Sequence, residues 1–448
     1  MSLFRPSRYR ALPGLLALTI SAFPALAQAS PAAGASAAAS LDALVAQALE
    51  KSPALVAARA EVAAARERVA PAGALPDPML ALSYENDGTS LSLGVEPMTR
   101  LTLMAEQPIP WPGKLGARVR VAEADAGIVE ARLARISLSV EAAVRRAAAR
   151  LLEAREVRTV TREQTETWER IEAVARNRYS AGLGAQQDVL RAGAERTRLR
   201  QQARRDESAE RTAASELRRL LLRGPDEPVS LAGSLVDAPP VVPEAAAERA
   251  RAEEKSPELA LVRRIAARET LAIDLARRDR SPDLVASAGY MNRGSLPLMW
   301  TVGVGVSVPL FSSRKQEPRI REAEARLASA KAAESDVRSR LLARTEERLA
   351  LLEQLAEEAR LDRESLLVQD RLAVEAALAS YGTGTVPFVT VLEAIGTDYS
   401  DRRASLARLA GFRTAQADLL ELSLEGAAAM TPSAAPSAPA AMSAGGGM

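Results

Sequence analysis

Cysteine and histidine are both absent from the 448 residues of this chain. The absence of cysteine excludes disulfide bonds, thiolate nucleophiles and an N-terminal cysteine that carries a lipid anchor. The absence of histidine removes the side chain that most often acts as an acid–base group near neutral pH and as a transition-metal ligand. An enzyme would have to use carboxylate, lysine or tyrosine chemistry, and the acidic residues are scattered along charged helical stretches. We therefore expect no catalytic residue, no resident metal ion and no cofactor.

Aromatic residues are also scarce, at 3% of the chain, and neither sign of charge prevails. The 59 basic and 57 acidic residues nearly cancel, so the net charge of +2 gives no argument for binding to nucleic acid. Alanine, arginine, leucine and glutamate are instead abundant, which is the composition of long helices. The run from residue 111 to residue 179 contains almost no helix-breaking residue and would form a rod of about 100 Å.

The N-terminus has the pattern of a secretory signal peptide. Three arginines within the first ten residues precede an apolar stretch that ends in an Ala-Leu-Ala site at residues 25–27. A membrane anchor is the alternative, but the apolar stretch is short and is interrupted by two prolines. We therefore expect cleavage after residues 1–27, a flexible segment at 28–40 and a disordered tail at 427–448. No later stretch is apolar enough for a spanning helix, so a membrane crossing would have to use strands.

Two stretches of the chain share an unusual plan, in which a strand leads through a sharp corner into a very long helix. Residues 101–124 alternate as a strand, pass through the proline-rich segment 108–114 and continue as a helix. Proline is excluded from central strands and helix interiors, so this segment marks a forced change of structure. Residues 301–325 repeat the plan, and four valines there alternate with threonine, glycine or serine, which predicts a strand with one apolar face.

Four motifs recur along the chain with an offset that stays between 201 and 206 residues, which indicates a duplication. The matched pairs are Lys51-Ser52-Pro53 with Lys255-Ser256-Pro257, Pro76-Asp77 with Pro282-Asp283, Arg120-x-x-Glu123-Ala124 with Arg321-x-x-Glu324-Ala325, and Tyr179-x-x-Gly182 with Tyr381-x-x-Gly384. The predicted division is a first repeat at 41–223, a proline-rich linker at 224–243 and a second repeat at 244–426. Within the repeats we expect strands at about 79–108 and 283–309, and helical turns at about 180–187 and 382–388.

The fold class predicted from this pattern is α+β, with duplicated helix–β-hairpin–long helix repeats. Four strands leave sheet edges that need a partner, whereas a membrane barrel needs about eight strands to close. A barrel assembled from several subunits is therefore favoured over a small soluble sheet that covers a helical bundle. Apolar residues at steps of three, four and seven along residues 342–366 predict a coiled-coil seam.

The repeated hairpins and the paired Tyr-x-x-Gly…Val-Leu-x-Ala turns resemble the TolC family of outer-membrane efflux channels, over nearly the whole mature chain. The segments Pro-Asp-Pro-Met-Leu at 76–80 and Gln-Pro-Ile-Pro-Trp-Pro-Gly-Lys-Leu at 107–115 are most similar to the subgroup associated with heavy-metal export. The resemblance implies a homotrimer in the outer membrane, with a twelve-stranded β-barrel joined to a long periplasmic α-helical barrel. It also implies a periplasmic adaptor protein and an inner-membrane RND-type pump as partners, with the channel as a passive exit duct. The alternatives are drug efflux, type I protein secretion and, in another class, a soluble periplasmic coiled-coil scaffold.

The resemblance further implies that the turns at 179–192 and 381–394 are the periplasmic tips. The residues that match the gate of the family are Asp188, Tyr381 and Glu393. Val386 stands where the family has an arginine of the gate, and Thr390 replaces a second acid. As ordinary helical turns, the same segments would need Gly182 and Gly384 only as left-handed caps. The expected tip and adaptor contacts are Tyr179, Gly182, Leu183, Gly384, Val386, Val391 and Leu392.

The two corners that follow the strands are expected to join the barrel to the helices. Trp111 and Lys114 would lie at the periplasmic rim of the barrel, where aromatic and cationic side chains anchor well. Pro309 and Phe311, with Lys315, would do the same in the second repeat. The expected joint residues are Pro110, Trp111, Lys114, Pro309, Phe311 and Lys315.

Overall fold

The computed structural model describes residues 39–421, except residues 90, 95 and 238. The expected signal peptide, most of the segment expected to be flexible and the expected tail therefore lie outside the described residues. In the described part, each half of the chain has short helices, a β-hairpin and then long helices. No helix among these residues has the length and apolarity that a membrane-spanning helix requires.

The first half contains five helices and the first hairpin. Ser40 caps the first helix through its side chain, and Pro53 occupies the first turn of the second helix, where proline is tolerated. The fourth helix has 67 residues, which corresponds to about 100 Å. The elements are α1 (Leu41–Lys51), α2 (Pro53–Glu67), α3 (Val69–Gly73), β1 (Met79–Glu85), β2 (Arg100–Ile109), α4 (Lys114–Ser180) and α5 (Gln186–Leu221).

The second half repeats this order with two differences: two helices instead of three precede its hairpin, and its first long helix is interrupted. A π-helical turn at Asp362–Leu366 interrupts the helix, and the buried Asp362 carboxylate there accepts two 2.7 Å hydrogen bonds from Arg408. The elements are α6 (Ala245–Lys255), α7 (Pro257–Arg278), β3 (Asp283–Asn292), β4 (Met299–Ser307), α8 (Gln316–Leu361), α9 (Leu367–Thr383) and α10 (Phe388–Glu421).

Helix α4 is central to the packing, because it contacts α2, α5, α7 and α10. Leu44 and Val45 of α1, Val144 and Leu151 of α4, and Leu217 of α5 belong to one buried cluster. The proline-rich segment 224–243 contributes to the same region: its Leu231 is buried there and pairs with Ala39 in an isolated parallel bridge. This segment is therefore packed against the helices along part of its length.

The four expected strands are present and form one antiparallel sheet in the order β1-β2-β3-β4. The hairpins meet through the pairing of β2 with β3, in which Leu103 lies opposite Tyr290. Within the described residues, β1 and β4 each pair on one side only, so both edges of the sheet are open.

The pairing register divides the sheet into two chemically different faces. Leu82 lies opposite Leu103, and Tyr290 lies opposite Trp300, so these side chains share one face. The alternate positions form a face of mostly small and polar residues together with four methionines, and Ser83 lies opposite Thr102 there. The apolar face is not covered: the exposed fraction is 68% for Leu82 and 78% for Trp300. The other apolar side chains exposed on this face are Leu80, Tyr84, Leu103, Ile109, Tyr290, Val302, Val304 and Val306.

Candidate functional site

Two tight turns join α4 to α5 and α9 to α10, and each depends on a glycine in the left-handed region. Gly182 has φ +72° and Gly384 has φ +83°, as expected for the caps of helical hairpins. Gly384 ends α9, and its backbone N–H bonds to the carbonyls of Ser380 and Tyr381. A Cβ at Gly384 would also lie 3.1 Å from Nη2 of Arg178, so a larger residue there would require the guanidinium to shift by a few tenths of an ångström.

The two turns lie against each other, and Tyr381 is at the centre of their contact. Its hydroxyl donates a hydrogen bond to Oδ2 of Asp188 over 3.3 Å, although 193 residues separate the two. Its ring packs edge-on against Phe388, which in turn contacts Trp168. Burial, followed by the Asp188 carboxylate, raises the pKa of Tyr381. The hydroxyl therefore keeps its proton and acts as the donor.

Arg178 forms a second link between the turns, and the sequence analysis missed it. Its guanidinium donates to the carbonyls of Tyr381 (2.7 Å) and Gly382 (2.8 Å) in the second turn and of Leu183 (3.0 Å) in the first. It also lies 4.9 Å from the centre of the Tyr381 ring. The sequence analysis expected an arginine of this gate to be missing at Val386 of the second turn, whereas here an arginine of the first turn forms the cross-link. An arginine in the last turn of a helix commonly binds free carbonyls, which is the sequence signal that could have identified it.

The remaining expected tip residues divide into a packed set and an exposed set. Val391 is fully buried in the cluster around Trp168, and Val386 and Leu392 pack against that cluster. Tyr179 and Leu183 are exposed, at 47% and 71%. Glu393 is also exposed, and it makes no ion pair or side-chain hydrogen bond with any part of the chain that the structure describes.

A buried polar network links three helices farther from the turns. Asp206 of α5 accepts hydrogen bonds from Thr161 of α4 (2.6 Å) and from Arg403 of α10 (3.0 Å). Tyr399 completes the network through the Thr161 hydroxyl at 2.9 Å. Burial tends to raise the pKa of Asp206, but the hydrogen bonds from Arg403, Thr161 and Gln202 outweigh it and hold that pKa below its usual range. The carboxylate is therefore ionised and fixes α10 against α4 and α5.

In a cluster of aspartates on α9 and α10, the pKa shifts run in the opposite direction from that of Asp206. Burial, with the neighbouring charge of Asp401, raises the pKa of Asp370. Burial also raises the pKa of Asp398, where Arg402 opposes the shift and Asp401 and Glu163 add to it. Asp370 and Asp398 therefore carry their charge at a cost to the folded state.

The first joint is held by Lys114, the first residue of α4. Its ammonium donates to Oδ1 of Asp283 (2.8 Å) and to the Ser281 carbonyl (2.7 Å), and the side chain is only 4% exposed. The backbone N–H of Trp111 donates to the same Oδ1 over 2.9 Å. A lysine without a nearby acid would not be buried so completely, so the Asp283 carboxylate accounts for the buried position of Lys114. We call these contacts the Lys114–Asp283 clasp.

The other expected joint residues are less constrained. Pro110 is buried and Trp111 is 40% exposed. In the second joint, Pro309 is half-buried, Phe311 is 73% exposed and Lys315 is exposed. The two joints thus have similar sequences and different surroundings in a single chain.

Comparison with solved structures shows a shared fold. The outer membrane protein VceC from Vibrio cholerae matches with TM-score 0.70 and 19% identity, over 85% of this chain and 94% of that one. The outer membrane channel MtrE from Neisseria gonorrhoeae, in its open state, matches with TM-score 0.67 and 16% identity, over 85% and 88%. CusC, a protein described in terms of transmembrane channel formation, matches with TM-score 0.68 and 14% identity, over 85% and 90%.

Among curated protein sequences, none matches this chain significantly. The sequence profile of the outer membrane efflux proteins, in contrast, matches residues 44–221 and 249–423. These segments comprise well over half of the chain and include both sets of long helices and both hairpins. The chain therefore belongs to the outer membrane efflux protein family.

Proposed function

We propose that this protein is the outer-membrane channel of a tripartite efflux system and acts as a passive exit duct. In this proposal, three copies close a twelve-stranded β-barrel in the outer membrane, and their helices form an α-helical barrel that extends into the periplasm. The observation that carries the proposal is the four-stranded sheet, which has two open edges and one uncovered apolar face. Membership of the efflux family and the fold shared with outer membrane channels also support it.

An open strand edge leaves backbone N–H and C=O groups unpaired, and in lipid each such group costs several kcal/mol, so only a closed barrel satisfies them. The apolar face is suited to lipid, and β2 and β3 have ten residues each, which is the length that a tilted membrane strand needs. Each chain contributes four strands, so closure requires neighbouring copies.

The two turns are proposed to form the periplasmic gate of the channel. Asp188 and Tyr381, with Arg178 added, would hold the tips of each subunit together in the closed state. Three copies of Glu393 around the axis would form an anionic collar that favours cations. The exposed Tyr179 and Leu183 are available for contact with a periplasmic adaptor protein, which would connect the channel to an inner-membrane RND-type pump.

We further propose that the cargo is a heavy-metal cation. The support is the resemblance of segments 76–80 and 107–115 to the metal-export subgroup, together with the exposed Glu393. A strain that lacks this protein should become more sensitive to one or more heavy-metal salts, and expression of the intact chain should reverse the effect. Sensitivity to hydrophobic drugs alone, or loss of a secreted protein, would contradict the metal cargo and leave the channel assignment intact.

Membrane fractionation tests the channel assignment itself. The full-length protein should be found in the outer membrane, require detergent for extraction and migrate as a trimer that becomes a monomer after heating in SDS. A protein that appears in the soluble periplasmic fraction as a monomer would contradict the proposal and would fit a helical scaffold instead.

A further inference from the structure

The Lys114–Asp283 clasp joins the two repeats within one chain. Lys114 follows β2, Asp283 begins β3, and these two strands are neighbours in the sheet. The clasp therefore fixes the end of one hairpin to the start of the next, at the place where strands change into helices. Its buried lysine and its shared acceptor, Oδ1 of Asp283, indicate a specific structural contact.

The duplication supplies a second set of the same residues. Pro76-Asp77 corresponds to Pro282-Asp283, and Lys315 corresponds to Lys114 through the offset of 201 residues that also relates Arg120 to Arg321. Asp77 precedes β1, and Lys315 follows β4. The second acid and the second lysine thus lie at the two open edges of the sheet, at the same end as the first pair, because β1 and β3 start there and β2 and β4 finish there.

Within a single chain, Asp77 and Lys315 do not form a contact like the Lys114–Asp283 clasp. Both side chains are exposed, and neither makes an ion pair or side-chain hydrogen bond within the described residues. Asp77 and Lys315 are separated by the full width of the sheet, so one chain cannot bring them together. Two chains placed edge to edge can, because β4 of one copy would then lie antiparallel beside β1 of the next.

We propose that Lys315 of one subunit forms an ion pair with Asp77 of the neighbouring subunit and repeats the Lys114–Asp283 clasp across each subunit boundary. This inference rests on the trimeric barrel of the proposed function and specifies its seam. The ring around the barrel rim would then contain six clasps, three within subunits and three between them. The intersubunit clasp selects which edges meet and adds to the two-faced pattern of the sheet in opposing slippage of their register.

The second joint is longer than the first, and this difference should weaken the intersubunit clasp. The connection from Ser307 to Gln316 is longer than the connection from Ile109 to Lys114, and it contains the exposed Phe311. Lys315 is therefore held less tightly than Lys114. We expect the intersubunit clasp to contribute less than the buried clasp, and its contribution to decrease with added salt.

A charge-swap experiment tests the pair. Asp77→Lys and Lys315→Asp should each lower the temperature at which the purified trimer dissociates in SDS, and the double variant Asp77→Lys/Lys315→Asp should recover at least half of the combined loss. Lys331→Asp, at an exposed lysine within α8, is the matched control and should leave the temperature unchanged. If the single variants behave like the control, or if their losses add without recovery, the pair does not exist.

Chemical crosslinking provides a second test, which the cysteine-free sequence makes free of background. With a short bifunctional thiol reagent, Asp77→Cys/Lys315→Cys should yield covalent dimers and trimers. Glu85→Cys/Arg100→Cys replaces an ion pair within one hairpin, so its crosslink should leave the chain at monomer mass. Trimers that form normally without a 77–315 crosslink would overturn the clasp and spare the proposed function. The absence of any trimer in the parent protein would overturn both.

Discussion

Apolar side chains are exposed on the sheet but buried at the turns, which lie at the far ends of the long helices. At the turns, Trp168, Tyr381 and Phe388 pack together inside one chain and are at most 4% exposed. On the sheet, Leu82 and Trp300 remain mostly exposed, with many apolar neighbours on the same face. Large apolar patches of this kind mark a surface that meets another apolar phase or another protein. The apolar side chains at the turns are thus buried within one chain, whereas the sheet leaves one apolar face and two strand edges uncovered within the described residues.

The largest effect is expected from a charge on the apolar face of the sheet. Leu82→Arg would place a charge on the apolar face, which costs about 2–4 kcal/mol at the middle of a lipid bilayer. Ser83→Arg is the matched control, because it is the next residue on the same strand and lies on the opposite, polar face. The amount of heat-modifiable trimer in the outer membrane should fall strongly for Leu82→Arg and little for Ser83→Arg. Equal losses would show that the two faces do not meet different surroundings.

The next largest effect is expected from loss of the buried polar network around Asp206. Asp206→Ala would leave Arg403 without its buried partner and should lower the free energy of unfolding by about 2–3 kcal/mol. Unfolding of the detergent-solubilised protein by urea, followed by circular dichroism at the helical band, measures the change. Glu207→Gln, which weakens only exposed ion pairs with Arg204 and Arg211, should cost less than about 1 kcal/mol. Similar costs for the two variants would contradict the structural role of the network.

The stability that the Asp206 carboxylate contributes should depend on pH. The folded-state pKa of Asp206 is lowered, so the network contributes stability above the pKa of the unfolded chain and loses it as the pH falls through the folded value. The difference in stability between the parent protein and Asp206→Asn should therefore be full near neutral pH and shrink below about pH 4. A difference that stays constant into strong acid would contradict the ionised state of Asp206.

A smaller effect is expected from the acidic group on α9 and α10. The folded-state pKa of Asp370 is raised, so its charge destabilises the fold near neutral pH and this penalty disappears as the pH falls through the raised value. Asp370→Asn should slightly raise the thermal midpoint near neutral pH and have no effect once the parent carboxyl is protonated. A lower midpoint for Asp370→Asn near neutral pH would show that the carboxylate has a stabilising partner.

The features that the sequence predicted are those determined by neighbouring residues. The alternation of valine with threonine, glycine and serine predicted β4, and the absence of breakers predicted α4, because both patterns act within a few turns of chain. The left-handed conformations of Gly182 and Gly384 were likewise predictable, since a tight turn after a helix favours glycine there. The apolar face followed once the strand alternation was combined with the observed register.

The features that the sequence did not predict depend on residues far apart in the chain. Arg403 and Asp206 are separated by 197 residues, and Lys114 and Asp283 by 169, so neither pair leaves a local pattern. Arg178 was missed for a different reason: the family resemblance directed attention to Val386 on the second turn, whereas the arginine that links the turns here belongs to the first. Helix composition alone cannot distinguish such an arginine from a solvated one.

Single-channel recording tests most directly the central claim that this protein is a channel whose two turns hold it closed. The heat-modifiable trimer, purified in detergent and added to a planar lipid bilayer, should insert and give uniform conductance steps. Arg178→Ala removes hydrogen bonds to three carbonyls at the turns and should raise that conductance, and Tyr381→Phe, which removes one 3.3 Å hydrogen bond, should raise it less. Uniform steps that increase in this order are the result the account predicts. A purified protein that gives no conductance steps would contradict it.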